Sequence, residues 1–257
     1  MGKEVCRAVT DADDLDLVAV VDPTIEEGSV VESIGGSSGS LVAVGNLNEV
    51  DPSGIDVAVD FTHASQARES LSWCAQNGVH VVVGTSGLTD DDVGWARQHF
   101  SSGSANAMLI SNFAIGAVLL MRLCEIAAPL MDGVEIVELH HDAKRDAPSG
   151  TAMQTAARIA AARATAGLDE FVADSASLTV VDGARGGVGP GGIRIHSVRL
   201  PGLVAHEEVV FGALGQRLTV RHDSYDRKSF MPGVLLATRR VSDTPGLTLG
   251  LESLLGV

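Results

Sequence analysis

Between residues 15 and 113 the sequence alternates short apolar runs with helical stretches. The runs are LDLVAVVD (15–22), IDVAVDFT (55–62), VHVVVGTSG (79–87) and AMLISNF (107–113). Two of the intervening stretches carry local helix signals. ASQARESLSWCAQNG ends on Gly78, suited to a left-handed C-cap, and TDDDVGWARQHF opens on Thr89 with Asp92 at capping-box distance. Apolar strands alternating with helices predict a parallel sheet covered on both faces. After residue 113 the pattern changes. A long apolar helix, AIGAVLLMRLCEIAAPLM, leads to the strand VEIVELHH and then to the helix SGTAMQTAARIAAARATAG, which stops at Gly167. LTVVD, IRIHSVRL, LVAHEEVVFG and QRLTVRH follow with no helix between them, the pattern of antiparallel sheet. FMPGVLLATRRV (230–241) is a late helix able to return to the first domain. The fold class is therefore α/β, a parallel-sheet domain (1–113 and 228–257) plus an α+β domain (114–227).

Composition narrows the function. The 257 residues fit one large domain or two modest ones, and 45% hydrophobic content supplies a core. A formal net charge of −15 argues against nucleic acid or an anionic membrane as partner. No apolar run approaches the ~18 residues of a membrane span, and the polar start does not read as a signal peptide. Cys6, Cys74 and Cys124 are far apart and lack metal-site spacing, so they read as reduced thiols of a cytoplasmic protein.

Several motifs are weighed against plainer readings. GTSGL (84–88) fails the G-x-S-x-G elbow because its fifth residue is Leu88, but a Gly-Thr-Ser turn at a parallel strand's end is where such sheets hold ligands. GARGGVGPGG (183–192) precedes a strand and no helix, so it reads as a mobile loop, and GGSSGS (35–40) as a surface loop. DSYDRKSF (223–230) reads as a solvated loop. Asp22 closes its apolar run, where dinucleotide folds place the acid that holds the ribose hydroxyls.

The densest stretch is ELHHDAKRDAPSGTA (138–152). His140 and His141 end a strand and diverge, which disfavours a metal site, and Lys144 would repel a cation. Two histidines and a lysine suit an anionic substrate that must be protonated. Pro148 stiffens the corner, Ser149 can cap, and the amides of Gly150 and Thr151 open a helix, which makes an anion site from backbone donors.

This stretch resembles the signature of the 4-hydroxy-tetrahydrodipicolinate reductase family. VAVDFT, VVGTSG, NFAIGAVL, ARGG, IHSVRLPGLVAHEEVVF and RHDSYDRKSF support the resemblance in the family's order, over essentially the whole chain. It implies a Rossmann-like domain for NADH or NADPH, and a second domain with an open mixed sheet that binds a small dicarboxylate and builds a homotetramer. The implied reaction passes a hydride to a cyclic, unsaturated dicarboxylate with loss of water. The resemblance makes His140 the proton donor and Lys144 a second donor and carboxylate partner, with His141, Gly150 and Thr151 as substrate contacts. It places cofactor contacts at Asp22, Gly84, Thr85, Ser86, Ile110, Ser111, Asn112 and Phe113. Asp22 is followed by Pro23 and Thr24, with no base for a 2′-phosphate, which favours NADH. The family opens on a strand and a G-x-x-G-x-x-G loop, whereas this sequence starts MGKEVCRAV, with Gly2 in the place of the third glycine. The expectation is that the true start lies upstream and that the chain as it stands binds cofactor weakly. Alternatives are a non-catalytic relative and a dehydrogenase of an amino-acid semialdehyde. The His-His…Lys…Ser-Gly-Thr cluster disfavours the second.

Overall fold

The computed structural model describes residues 1–24, 42–85, 87–101, 103–171, 176 and 178–256. GGSSGS and Ser86 lie outside them. The chain divides into two compact units, Met1–Phe113 with Phe230–Gly256, and Ala114–Ser229.

The first unit opens with helix α1 (Gly2–Thr10), followed by β1 (Ala19–Val21) and β2 (Val42–Val44), which pair in parallel. β3 (Val57–Asp60), α2 (Ala64–Asn77), β4 (His80–Val83), α3 (Asp90–Phe100) and β5 (Ala107–Leu109) then repeat strand and helix. β11 (Leu247–Leu249) adds to β5, giving a four-stranded parallel sheet in the order β11-β5-β4-β3. β1 and β2 form a separate two-stranded sheet, so among the described residues the parallel strands do not join into one sheet. The helix boundaries follow local signals. Gly78 takes the left-handed cap at φ 70, and Thr89 with Asp92 makes both bonds of the capping box. Leu71 and Cys74 of α2, Val81 and Val83 of β4 and Phe100 of α3 are buried in one core. Side chains of this kind contribute ~1.5–3 kcal/mol each.

The second unit runs α4 (Ile115–Ala127), β6 (Gly133–His140), α5 (Gly150–Thr165), β7 (Gly187–Val188), β8 (Arg194–Arg199), β9 (Ala205–Ala213) and β10 (Gln216–Ser224). The late helix α6 (Met231–Arg240) and the short α7 (Glu252–Leu255) belong to the first unit. The five strands order β10-β9-β6-β8-β7. The sheet is mixed, as the family resemblance implies, and not purely antiparallel as the strand pattern alone suggests, because β6 and β8 run parallel. The reason is α5, which supplies the crossover that a parallel pair requires. LTVVD is not a strand. Residues 178–182 form no ladder, and Leu178, Val180 and Val181 are exposed, because β propensity without a partner strand gives no pairing. Val134, Ile136 and Glu138 of β6 face the α4 and α5 side with Glu207, Val209 and Phe211 of β9. The other face carries Glu135, Val137, Leu139 and Val210, and no described helix of this unit packs against it.

Candidate active site

In the second unit, the site grows from the end of β6. Period-2 alternation puts Glu138 and His140 on one face of the strand. Glu138 is fully buried. Its Oε2 meets His140 Nδ1 at 2.5 Å and accepts from an Arg199 guanidinium nitrogen at 2.8 Å. Its Oε1 accepts from the other guanidinium nitrogen at 2.8 Å and from the Ser149 amide at 3.2 Å. Burial works to raise this carboxyl, but the bonds from His140, Arg199 and Ser197 outweigh it and hold the group at about 2. Arg199 also donates to the Asp146 carbonyl at 2.7 Å, which ties the 141–149 corner to β8.

His141 lies one residue beyond β6 and is exposed. Lys144 Nζ bonds both oxygens of Asp146, at 2.8 and 2.9 Å. The Asp146 side chain is 59% exposed, so this pairing is weak and open to exchange for a bound carboxylate. Ser149 caps α5 by accepting from the Ala152 amide at 3.1 Å. The amides of Gly150 and Thr151 find no acceptor among the described residues, so the start of α5 presents two donors and the positive end of the helix dipole. His140, Lys144, Gly150 and Thr151 thus come from one strand–helix corner.

In the first unit, the C-terminal ends of β3, β4 and β5 meet along one sheet edge. Asp60 ends β3 and is buried. Its Oδ1 accepts from the Thr62 amide at 2.9 Å, the Thr62 hydroxyl at 2.8 Å and the Thr85 hydroxyl at 2.9 Å. The Gly84 amide donates to the Asp60 carbonyl at 2.8 Å, so the two strand ends are tied together. A Cβ at Gly84 would meet the Phe113 ring at 2.7 Å and Phe61 closer still, and those two rings pack with centroids 5.2 Å apart. The Ile110 amide bonds Val83, Ile110 and Phe113 are buried, Asn112 is half-buried and Ser111 is exposed. Gly84, Thr85 and Ile110–Phe113 therefore share this edge.

Asp22 stands apart, one residue past β1 in the two-stranded sheet. Its Oδ1 accepts from the Thr24 hydroxyl at 2.7 Å and amide at 2.9 Å, bonds that hold its carboxyl below the usual carboxylate range. Oδ2 takes no bond from the described residues and is free to accept ribose hydroxyls. The residues present fit a dinucleotide: an ionised acid with an unclaimed oxygen, and the C-terminal ends of parallel strands meeting along one edge. The neighbourhood of Asp22 differs from the sequence expectation in one respect. Lys3 of α1 lies within its electrostatic reach, so a base is close although none follows Asp22 in the chain.

Sequence reasoning gave no role to Glu138, Arg199 or Asp60. Alternation along β6 would have pointed to Glu138, and the D-x-T spacing shared with Asp22 would have pointed to Asp60. Arg199 lies on β8, distant in sequence, and had no local signal. Among the described residues no cluster of His, Cys, Asp and Glu is placed to hold a metal, and no helix is long and apolar enough to cross a membrane.

Comparison with known proteins covers both units. Residues 1–113 match the family model for dihydrodipicolinate reductase, N-terminus, and residues 116–255 that for dihydrodipicolinate reductase, C-terminus. A 4-hydroxy-tetrahydrodipicolinate reductase of Cutibacterium acnes is 47% identical over 100% of this chain and 95% of its own length. One from Listeria monocytogenes is 45% identical over 99% of this chain and 95% of its own. The dipicolinate-bound dihydrodipicolinate reductase from Paenisporosarcina superposes with TM-score 0.83 at 38% identity, covering 98% of this chain and 94% of the other.

Proposed function

The chain belongs to the dihydrodipicolinate reductase family, and from that premise we infer a reaction and a division of labour among its residues. It is an NAD(P)H-dependent reductase that converts 4-hydroxy-tetrahydrodipicolinate to tetrahydrodipicolinate with release of water, a step of lysine and diaminopimelate biosynthesis. This takes precedence over a non-catalytic relative, since relatives carrying the reductase name align over 99–100% of this chain.

NADH or NADPH, when bound, supplies the hydride. The chain's own residues do the rest. The C-terminal ends of the first unit's strands receive the cofactor: Asp22 accepts from ribose hydroxyls, and Gly84, Thr85, Ser86 and Ile110–Phe113 form the nicotinamide side. In the second unit, the Gly150 and Thr151 amides donate to a substrate carboxylate, and Lys144 leaves Asp146 to pair with the dianion. His141 adds a further substrate contact. His140 delivers a proton to the carbon beside the one that receives hydride, acting through Nε2 because Nδ1 is engaged by Glu138. The observation that carries this reading is the corner itself, where a hydrogen-bonded histidine, a lysine on an exchangeable partner and two unclaimed helix amides lie within thirteen residues of chain, 139–151. The face of the five-stranded sheet turned away from α4 and α5, on which Val137, Leu139 and Val210 are half-buried, supports assembly of a homotetramer through that face. Three free, buried cysteines suit a reducing cytoplasm.

The test is NADH and NADPH oxidation with substrate made in situ by a coupled synthase. Turnover is expected, and His140→Ala should lower kcat by ~10²–10⁴-fold. An unaltered kcat in that variant would remove His140 from the proton-transfer role.

A further inference from the structure

We infer that Glu138 is a positioning residue for the reaction, fixing the tautomer of His140 and, through Arg199 and the Ser149 amide, the geometry of the corner that takes the substrate carboxylate. The inference rests on the reading of His140 as proton donor.

The stoichiometry of hydrogen bonds is the argument. Glu138 sits on β6 with 0% exposure, and its two oxygens take bonds from His140, both Arg199 guanidinium nitrogens, the Ser149 amide and the Ser197 side chain. An ionised carboxylate only accepts, and so does each oxygen here. The nitrogen of His140 that faces it, Nδ1 at 2.5 Å, must therefore carry a proton. In the neutral ring Nε2 is then the unprotonated nitrogen, and in the charged ring it is the nitrogen whose proton is free to leave. The same carboxylate orients Arg199, whose second guanidinium nitrogen reaches on to the Asp146 carbonyl. Asp146 in turn carries Lys144. Glu138 also accepts from the Ser149 amide, which sets the first turn of α5. One buried acid thus touches the strand that bears the proton donor, the loop that bears the lysine and the helix that offers its amides.

The neighbour opposite on β9 sharpens the point. Glu207 pairs with Glu138 across the ladder and is also buried. Burial pushes its carboxyl up to about 7, and its Oε1 has no partner. Two carboxyls side by side are thus held in opposite states over the acid-to-neutral range, and the one kept ionised is the one that grips His140. A plain structural ion pair with Arg199 would not need the histidine contact.

The decisive measurement is the nitrogen spectrum of the ¹⁵N-histidine-labelled full chain without substrate, well above the ordinary histidine pKa of ~6.5, with His140→Gln used for assignment. The expected result is a His140 ring with Nδ1 protonated and Nε2 unprotonated. Glu138→Gln should shift that ring toward the other tautomer and lower kcat by ~10–100-fold, with Glu138→Asp recovering part of both. A wild-type ring protonated mainly at Nε2, or a Glu138→Gln variant that keeps both the tautomer and kcat, would overturn the inference. The spectrum needs no turnover, so a chain with the expected tautomer but without reductase activity would refute the functional reading and leave the positioning role standing.

Discussion

Gly84 has no space for a methyl group, because the Phe61 and Phe113 rings close over its Cα. Gly84→Ala should cost ~1–3 kcal/mol through overpacking, read from the denaturant midpoint, and should weaken NADH binding measured by titration. Glu207 makes a different prediction. Burial pushes its carboxyl up to about 7, well above the ordinary glutamate range, so the folded chain prefers the neutral acid. That preference stabilises the fold fully below the unfolded value and is lost as pH rises through the folded one. Between these limits the Glu207 contribution should fall by an amount on the order of 3 kcal/mol. Glu207→Gln, which mimics the neutral acid, should flatten that part of the stability–pH profile, followed by urea unfolding at several pH values. Sequence showed Asp22 and passed over Asp60, although both make the same D-x-T turn. What separates them is burial and the reach of Thr85 from the next strand, and neither is written locally.

At the scale of elements, helices were the legible part. Their stop and start signals lie within a few residues, and Gly78, the Thr89–Asp92 box and Ser149 all perform as their local sequence implies. Strands were less legible because a strand exists only with a partner. The run 15–22 shortens to three residues in β1, 107–113 shortens to three in β5, and 178–182 does not pair. The β6–β8 parallel pairing was hidden for a related reason, since direction is decided by how α5 carries the chain across. Capping can be tested by comparing two helices. Ser149→Ala and Thr89→Ala should each lower stability by ~1 kcal/mol in thermal unfolding. Only Ser149→Ala should also raise KM for the dicarboxylate, because the Ser149 cap sets the helix start that offers its amides, whereas the Thr89 cap belongs to a helix of the first unit.

At the scale of the whole molecule, the chain carries −15 yet handles a dianion, so attraction must come from a few local donors set against an unfavourable field. The division into two units was visible in the change of pattern after residue 113, whereas the separation of β1–β2 from the four-stranded sheet was not. Assembly is the prediction at this scale. Val210→Glu places a charge on the face of the five-stranded sheet turned away from α4 and α5 and should shift sedimentation from the proposed tetramer toward smaller species, with circular dichroism unchanged. Finally, β6 lies between β9 and β8 and is paired along most of its length on both sides. Its amide protons have no edge from which to fray, so they should exchange with deuterium only when the unit opens as a whole. His140, assigned to proton delivery, and Glu138, which positions it, would then be mounted on the slowest-exchanging segment of the unit, and their alignment would persist through the local openings that loosen the loops around them.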